Sequence, residues 1–587
     1  MEKVDISEVI EWAKQFLAQS ENEITNEERK EQQKYAILVQ KPGDKTLLSK
    51  LLDESSQIRN NKKLAHRMKV LIDRYGVPEF FGFADKILIK LFTAFGYWFD
   101  FIAVPIFKQR LRSDTSKVII NEAPSLLKRH LQQRREQKIG QNVNLLGEVV
   151  LGDGEANHRY QHYLEALKDP QINYISIKIS GIYAQINPLN YELNKTELCE
   201  RLSKIYQRAI DFPFVDENGI SSSKFVNLDM EEYKDTELTL DVFTTVLDLP
   251  QFKNYQAGIV VQAYLPDAWQ FQSRLLEFAK KRVAEGGSPI KMRLVKGANL
   301  QMETIISSLK GWEIPTYSTK TEVDANYLRL LDRALEPENA EVVHIGVASH
   351  NFFTLGYAYL LSQKNKVDEF VTFEMLEGMA NHLPRVMRTL GKQIILYTPV
   401  VKNEHFLNAV SYLVRRLDEN TGKDNFLSYS FNLKVDSEHW KFLQEQFVEA
   451  YKLKESVSTT PRRTQNRNLS AIPQTDINTF RNEPDTNFDL KPNRLWADEI
   501  RRKWKKSADD KPYHIPLQIG DKEVISEKKR TYIDRSQNSE ICVCEASLAS
   551  LDQVKEILAV AEKDASGWRQ TLPEERNRIL HEVATNL

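Results

Sequence analysis

Residues 173–180, Asn-Tyr-Ile-Ser-Ile-Lys-Ile-Ser, decide the fold. In an extended chain Ile175, Ile177 and Ile179 fall on one side, and Ser176, Lys178 and Ser180 on the other. On a half-buried antiparallel strand such a lysine would simply face water. The surrounding chain argues for a different setting. Seven more short apolar runs occur, at 142–151, 224–230, 257–263, 291–297, 342–348, 369–375 and 392–397, each followed by a helix-like segment. Strands alternating with helices predict a parallel sheet with crossover helices. Eight such units over this length predict an α/β fold, a TIM-type (βα)8 barrel. Neither strand face of a barrel is open to water, so an inward Lys178 needs a partner or a task.

Barrel active sites gather at the C-terminal strand ends. Asp229, Gln262 and Arg293 occupy positions equivalent to Lys178 on the next three runs. Ser349-His350-Asn351 follow the sixth run, and Tyr397 closes the eighth. Residues 293–298, Arg-Leu-Val-Lys-Gly-Ala, end a run in glycine, where the backbone can approach a cofactor. No G-x-G-x-x-G accompanies them, which excludes a Rossmann site. Tyr317-Ser318-Thr319-Lys320 offers hydroxyls and an ammonium suited to phosphate, a weak motif alone.

After the eighth run, Val410, Leu413, Val414 and Leu417 recur at the spacing of one helix face. Tyr412, Arg415, Arg416 and Glu419 lie on the other face. An ordinary solvated helix has this pattern too. Two adjacent guanidinium groups beside a phenol can also grip a carboxylate bidentately, which lysine cannot do.

The 587 residues exceed a single core and predict two or three domains. A net charge of −1 gives no basic excess for nucleic acid. Three cysteines point to a reducing, cytoplasmic compartment and away from a disulfide framework. Cys542 and Cys544 lack nearby ligands, so no metal site is expected there. The opening Met-Glu-Lys-Val-Asp has no secretory pattern. The apolar stretch 91–107 is short and contains Asp100 and Pro105, which favours a buried helix over a span, with a peripheral membrane surface as the minority option. Residues 1–140 read as a helical arm or scaffold, 141–432 as the barrel and 433–495 as a helix and linker. Residues 496–587 form a further structured segment.

Taken together, SIKIS with Lys178, NLD with Asp229, VVQAY with Gln262, RLVKGA, SHN and YLVRRLDEN resemble the proline dehydrogenase domain of bacterial proline utilisation A, over about 140–430. The resemblance implies a distorted (βα)8 barrel holding noncovalent FAD. It implies oxidation of L-proline to Δ1-pyrroline-5-carboxylate by hydride transfer to flavin N5, with electrons passed to a membrane quinone through peripheral membrane contact. By that resemblance Arg415, Arg416 and Lys178 hold the proline carboxylate, and Tyr397 and Tyr412 wall its ring. Asp229 keeps Lys178 charged and aimed, and Glu148 gates the site by pairing with Arg415. Arg293 contacts the flavin near N5, Val295, Gly297 and Ala298 lie along its ring, and Gln262 bonds the flavin or ribityl chain. Ser318, Lys320, Ser349 and His350 match positions around the ribityl, pyrophosphate and adenosine, and Leu376, Glu419 and Phe426 match further cofactor contacts. No residue is assigned as base for the proline amine.

Asn299-Leu300 stand where many members carry Tyr-Trp, which puts local cofactor geometry in question. Residues 496–587 resemble the opening of an aldehyde dehydrogenase domain. A truncated chain without aldehyde dehydrogenase activity is the expectation. No ribbon-helix-helix element is recognisable in the arm. A homo-oligomer built through the arm or through the absent part of the second domain is compatible with this reading. The competing reading is a non-catalytic barrel that binds an amino acid or serves as a scaffold. It gives no reason to keep Lys178, Asp229 and the arginine pair together.

Overall fold

The structure is a computed structural model. It describes residues 4–58, 60–79, 86, 89–90, 92, 101, 104–107, 109, 118–147, 150–402, 409, 412, 425–430, 433–469, 482–507, 509–536 and 541–586. Of the residues singled out above, Glu148, Val410, Leu413, Val414, Arg415, Arg416, Leu417 and Glu419 lie outside this set, as does most of 91–107.

Eight parallel strands close into a barrel: β1 (Gly140–Leu145), β2 (Tyr174–Ile177), β3 (Phe225–Leu228), β4 (Gly258–Gln262), β5 (Ile290–Val295), β6 (Val343–Ala348), β7 (Val371–Leu376) and β8 (Gln393–Val401). Closure comes from β8 pairing with β1, Ile395 opposite Gly140 through Val400 opposite Leu145. All eight predicted runs are strands of this barrel. A two-residue strand, Ile120–Asn121, adds to the outer end of β8.

Alternation sorts the side chains as the pleat requires. Ile175, Ile177, Val226, Leu228, Ile259, Val261, Met292, Leu294, Ile345 and Val347 are buried in one continuous apolar core. The alternate positions Asn142, Ser176, Asn227, Lys291, Arg293 and Glu374 are equally buried, yet polar, and they bond to one another. Glycines make room for them. A Cβ on Gly346 would overlap Glu374 Oε1 and lie 3.1 Å from Lys291 Cε. The barrel lumen thus trades apolar filling for a charged network whose partners must all be present.

The N-terminal helices divide in two. Helix Ile6–Glu23 packs on helix Phe352–Lys364, where Gly356 leaves space for the ring of Trp12. Ion pairs Lys364–Glu8 (2.7 Å) and Arg385–Glu28 (2.7 Å) support the arm. Helices Pro42–Gln57 and Asn61–Tyr75 instead form a small core of their own around Leu47, Leu51, Leu64, Met68 and Leu71. Among the described residues no helix is long and apolar enough to cross a membrane.

Two compact units result, one of residues 1–309 and 313–463, the other of 310–312 and 464–587. Helix Glu438–Leu453 belongs to the first unit, where Phe353 meets Trp440 and Phe447. The second unit contains helix Lys491–Trp504, a three-stranded sheet of Tyr513–Ile515, Ile541–Ser547 and Lys529–Asp534, and helices Leu551–Lys563 and Pro573–Asn586. Cys542 and Cys544 sit on its Ile541–Ser547 strand.

Candidate active site

One carboxylate organises the C-terminal mouth of the barrel. Asp229 follows the last residue of β3. Its Oδ1 accepts from Ser176 Oγ (3.1 Å), Asn227 Nδ2 (2.8 Å) and Arg293 Nη1 (3.2 Å). Its Oδ2 accepts from the Tyr397 hydroxyl at 2.8 Å. Asn142 extends the chain by donating to Ser176 Oγ at 2.9 Å. These contacts cross the lumen, joining β1, β2, β3, β5 and β8, and only closure of the barrel brings them together.

Arg293 is clamped between two acids. Besides Asp229 it approaches Glu374 Oε2 on β7 at 2.9 Å, and Lys291 Nζ takes Glu374 Oε1 at 2.6 Å. The guanidinium also lies 4.6 Å from the Tyr397 ring centre. Burial works against charge here. For Glu374, burial raises its pKa, but Lys291 and Arg293 overrule it and hold the carboxylate below its usual range. Burial likewise opposes the Arg293 cation, and Glu374 and Asp229 outweigh it. Burial first, then the Asp229 charge, pushes the Tyr397 phenol well above its usual range, so it acts as a neutral donor.

Lys178 differs from its expected setting. It stands one residue beyond β2 with its side chain 37% exposed, and its ion partner is Glu231 at 2.6 Å. Asp229 does not aim it. Asp229 is consumed by four donors, so the lysine meets the acid two residues farther on.

On β4, Gln262 donates its amide weakly to the Met230 and Glu231 carbonyls, both at 3.4 Å. Its Oε1 is buried with no hydrogen-bond partner among the described residues. Val295, the last residue of β5, is half-buried, while Gly297 and Ala298 beyond it are exposed. Gly297 takes a φ of 122°, and a Cβ there would run into the Tyr264 ring, so glycine is required. Asn299 is turned inward and donates to Glu303 at 3.4 Å. Burial raises the pKa of Glu303.

Farther along this rim, Lys296 and Lys320 share one anion, Asp324, at 2.6 and 2.8 Å. Burial lowers the Lys296 pKa against the pull of Asp324. Thr319 caps helix Lys320–Ala334, so its hydroxyl is spent on Glu322, accepting from its backbone N–H and donating to its carboxylate. Arg462 donates to Ser318 Oγ at 2.8 Å. His350 Nε2 accepts from the Leu376 backbone at 3.4 Å, and Ser349 Oγ accepts from Asn351 N at 3.0 Å. Phe426 is buried against Phe352, ring centres 4.9 Å apart. Tyr412 packs against Ile119, Val401 and Ala409.

Lys178, Asp229, Gln262, Arg293 and Tyr397 therefore gather at one mouth. Glu231, Glu374, Lys291, Asn142 and Asn227 were absent from the sequence-derived site. The signal that singles out Lys178, a polar residue at alternate positions in an apolar run, is equally present for Glu374 in Val-Thr-Phe-Glu-Met-Leu and for Lys291.

The family model described as proline dehydrogenase matches residues 127–429, the barrel and its approaches. The bifunctional protein PutA of Klebsiella aerogenes is 28% identical over 262 residues, 43% of this chain and 18% of that relative's length. The solved structure of proline utilization A from Corynebacterium freiburgense is 39% identical over 69% of this chain and 38% of its own, with a TM-score of 0.58. That from Bdellovibrio bacteriovorus is 25% identical over 97% of this chain and 55% of its own, with a TM-score of 0.76. The chain thus spans 38% and 55% of the two solved relatives and 18% of the curated one. With more than half of its length matched by one family model on a barrel of the expected topology, the chain belongs to the proline dehydrogenase family.

Proposed function

We propose that this barrel oxidises L-proline to Δ1-pyrroline-5-carboxylate with noncovalent FAD and passes the electrons to a quinone. The observation that carries the reading is the gathering of a reachable ammonium, Lys178, beside a buried Tyr397–Asp229–Arg293 network at the strand ends.

The residues present fit the cofactor. Gln262 Oε1 is a buried acceptor left open for a donor such as a flavin ring N–H. Gly297 and Ala298 expose backbone at the mouth, free of bulky side chains, for a flat ring to lie along. Lys296 and Lys320 outnumber Asp324 by one positive charge, which suits a pyrophosphate. Ser318, Ser349, His350, Leu376 and Phe426 would line the ribityl and adenosine portions, and Val295 would lie along the ring. FAD, when bound, supplies a two-electron acceptor for the hydride leaving proline C5.

The chain's own side chains do the rest. Lys178, with Arg415 and Arg416, would bind the carboxylate of a zwitterion too small to be oriented by apolar contact. Tyr397 and Tyr412 would bound the ring. Asp229 fixes the Tyr397 hydroxyl and, with Glu374, the plane of Arg293, so that a permanent cation would be held ready for the cofactor without rearrangement. Glu148 would close over the substrate and Glu419 would complete the cofactor contacts.

Anaerobic absorbance spectroscopy tests the reading. The purified, FAD-reconstituted protein should show bound-flavin bands that bleach on adding L-proline and return on adding a soluble quinone. Failure to retain flavin, or bands untouched by L-proline, would refute it.

A further inference from the structure

We infer that Glu231 is the resting counterion of Lys178 and yields that ammonium to the incoming substrate carboxylate, which makes Glu231 a specificity-determining residue. The inference rests on the reading of Lys178 given above and names what the lysine does before substrate arrives.

The division of labour among the nearby acids supports it. Asp229 has two oxygens and four donors on them, leaving little capacity for another partner. Glu232 has its own partner in Lys234 at 2.8 Å. Glu231 carries the carboxylate that meets Lys178, at 2.6 Å. This pair is unlike the buried clamp on Arg293. Lys178 and Glu231 are 37% and 30% exposed, whereas Arg293, Asp229 and Glu374 are 8%, 10% and 1% exposed. An ion pair open to water separates at little cost, while a buried one does not.

The local backbone allows the exchange. The Glu231 carbonyl is tethered by Gln262 Nε2 at 3.4 Å and by the Tyr264 hydroxyl at 3.5 Å, so the loop stays seated while the side chain swings away. A lysine ammonium has three donors and no planar fork, so it accepts a new carboxylate in place of the old one or beside it. The group displaced is chemically the same as the group admitted. Glu231 is therefore an internal competitor that sets how strongly a ligand must present its carboxylate, and a ligand without one gains nothing by displacing it.

The flavin-loaded enzyme tests this through the flavin spectrum, titrated with L-tetrahydro-2-furoate, which is proline's ring with oxygen in place of N–H, and with the matching carboxamide. Glu231→Gln keeps the shape and removes the charge. It should tighten the carboxylate Kd roughly two- to fivefold, the span an exposed ion pair can supply, and leave the carboxamide Kd unchanged. The gain should vanish in Glu231→Gln/Lys178→Met. If the Gln variant fails to hold flavin, Glu231→Asp shortens the arm past reach of Lys178 and should give a smaller gain in the same direction. An unchanged or weakened carboxylate Kd in a folded, flavin-bound variant overturns the inference. So does an equal change for the carboxamide. Unaltered carboxylate affinity in Lys178→Met alone would instead refute the role of Lys178.

Discussion

Replacing Asp229 by Asn separates charge from shape in the barrel lumen. Asp229 and Glu374 balance Lys291 and Arg293, so the buried cluster is neutral. In Asp229→Asn the amide oxygen can keep the donors on Oδ1, and the Tyr397 hydroxyl can turn to accept from the new amide. The hydrogen bonds survive, and one positive charge is left uncompensated. At 3.2 Å from Arg293 the lost attraction is about 5 kcal/mol at an effective dielectric of about 20. Breaking a buried pair typically costs about 3–5 kcal/mol, so that is the expected loss of stability in urea unfolding. Arg293→Gln removes the cation and should be costly by the same logic, because Asp229 is then unpaired. The double variant restores neutrality and should be more stable than the two losses added together, with a coupling energy of roughly 2 kcal/mol or more. Losses that simply add, or a single Asp229→Asn loss under about 1 kcal/mol, would show that the lumen is wet enough to screen its charges and would refute the reasoning.

Gly346→Ala should destabilise the barrel by about 1–3 kcal/mol, since its Cβ would overlap the Glu374 carboxylate and crowd Lys291, and wild-type stability would mean the pair can shift freely. His382 is buried, and burial lowers its pKa to about 4, with Arg385 adding to that and Glu28 opposing it. Between pH 6.5 and about 4 the unfolded chain binds a proton that the folded chain does not, so stability is fully present above pH 6.5 and falls as the pH drops toward 4, by about 3 kcal/mol in all. His382→Gln should flatten that part of the stability–pH curve, and an unchanged slope in urea unfolding between pH 7 and 4.5 would exclude His382 as its source.

How much of this site was legible in the chain follows from what alternation can report. A period of two fixes which face a side chain takes, and in a barrel both faces are constrained, so eight short runs sufficed for the strands. Period says nothing about height along the barrel axis. The register of β2 against β3, Ile177 opposite Leu228, runs on to Lys178 beside Asp229, yet Lys178 meets Glu231, because four donors already occupy Asp229. Nor does it report contacts across the lumen. Tyr397 and Asp229 are 168 residues apart, on strands separated by the closure of the barrel.

Glu374 shows the complementary limit. Its run has the alternation that drew attention to Lys178, yet a carboxylate among Phe373 and Met375 gains meaning only once Arg293 and Lys291 stand opposite it. Gly346 on the intervening strand β6 makes the meeting possible, by leaving empty the space a side chain would fill. The network is thus specified by pairs that are distant in sequence, one member supplying a charge and another supplying room. Such a lumen tolerates few single changes, because each charge is balanced by an opposite charge on a strand it does not touch by backbone pairing. The same rigidity leaves Lys178 and Glu231, outside the network and open to water, as the described ion pair at the mouth most able to rearrange when a ligand arrives.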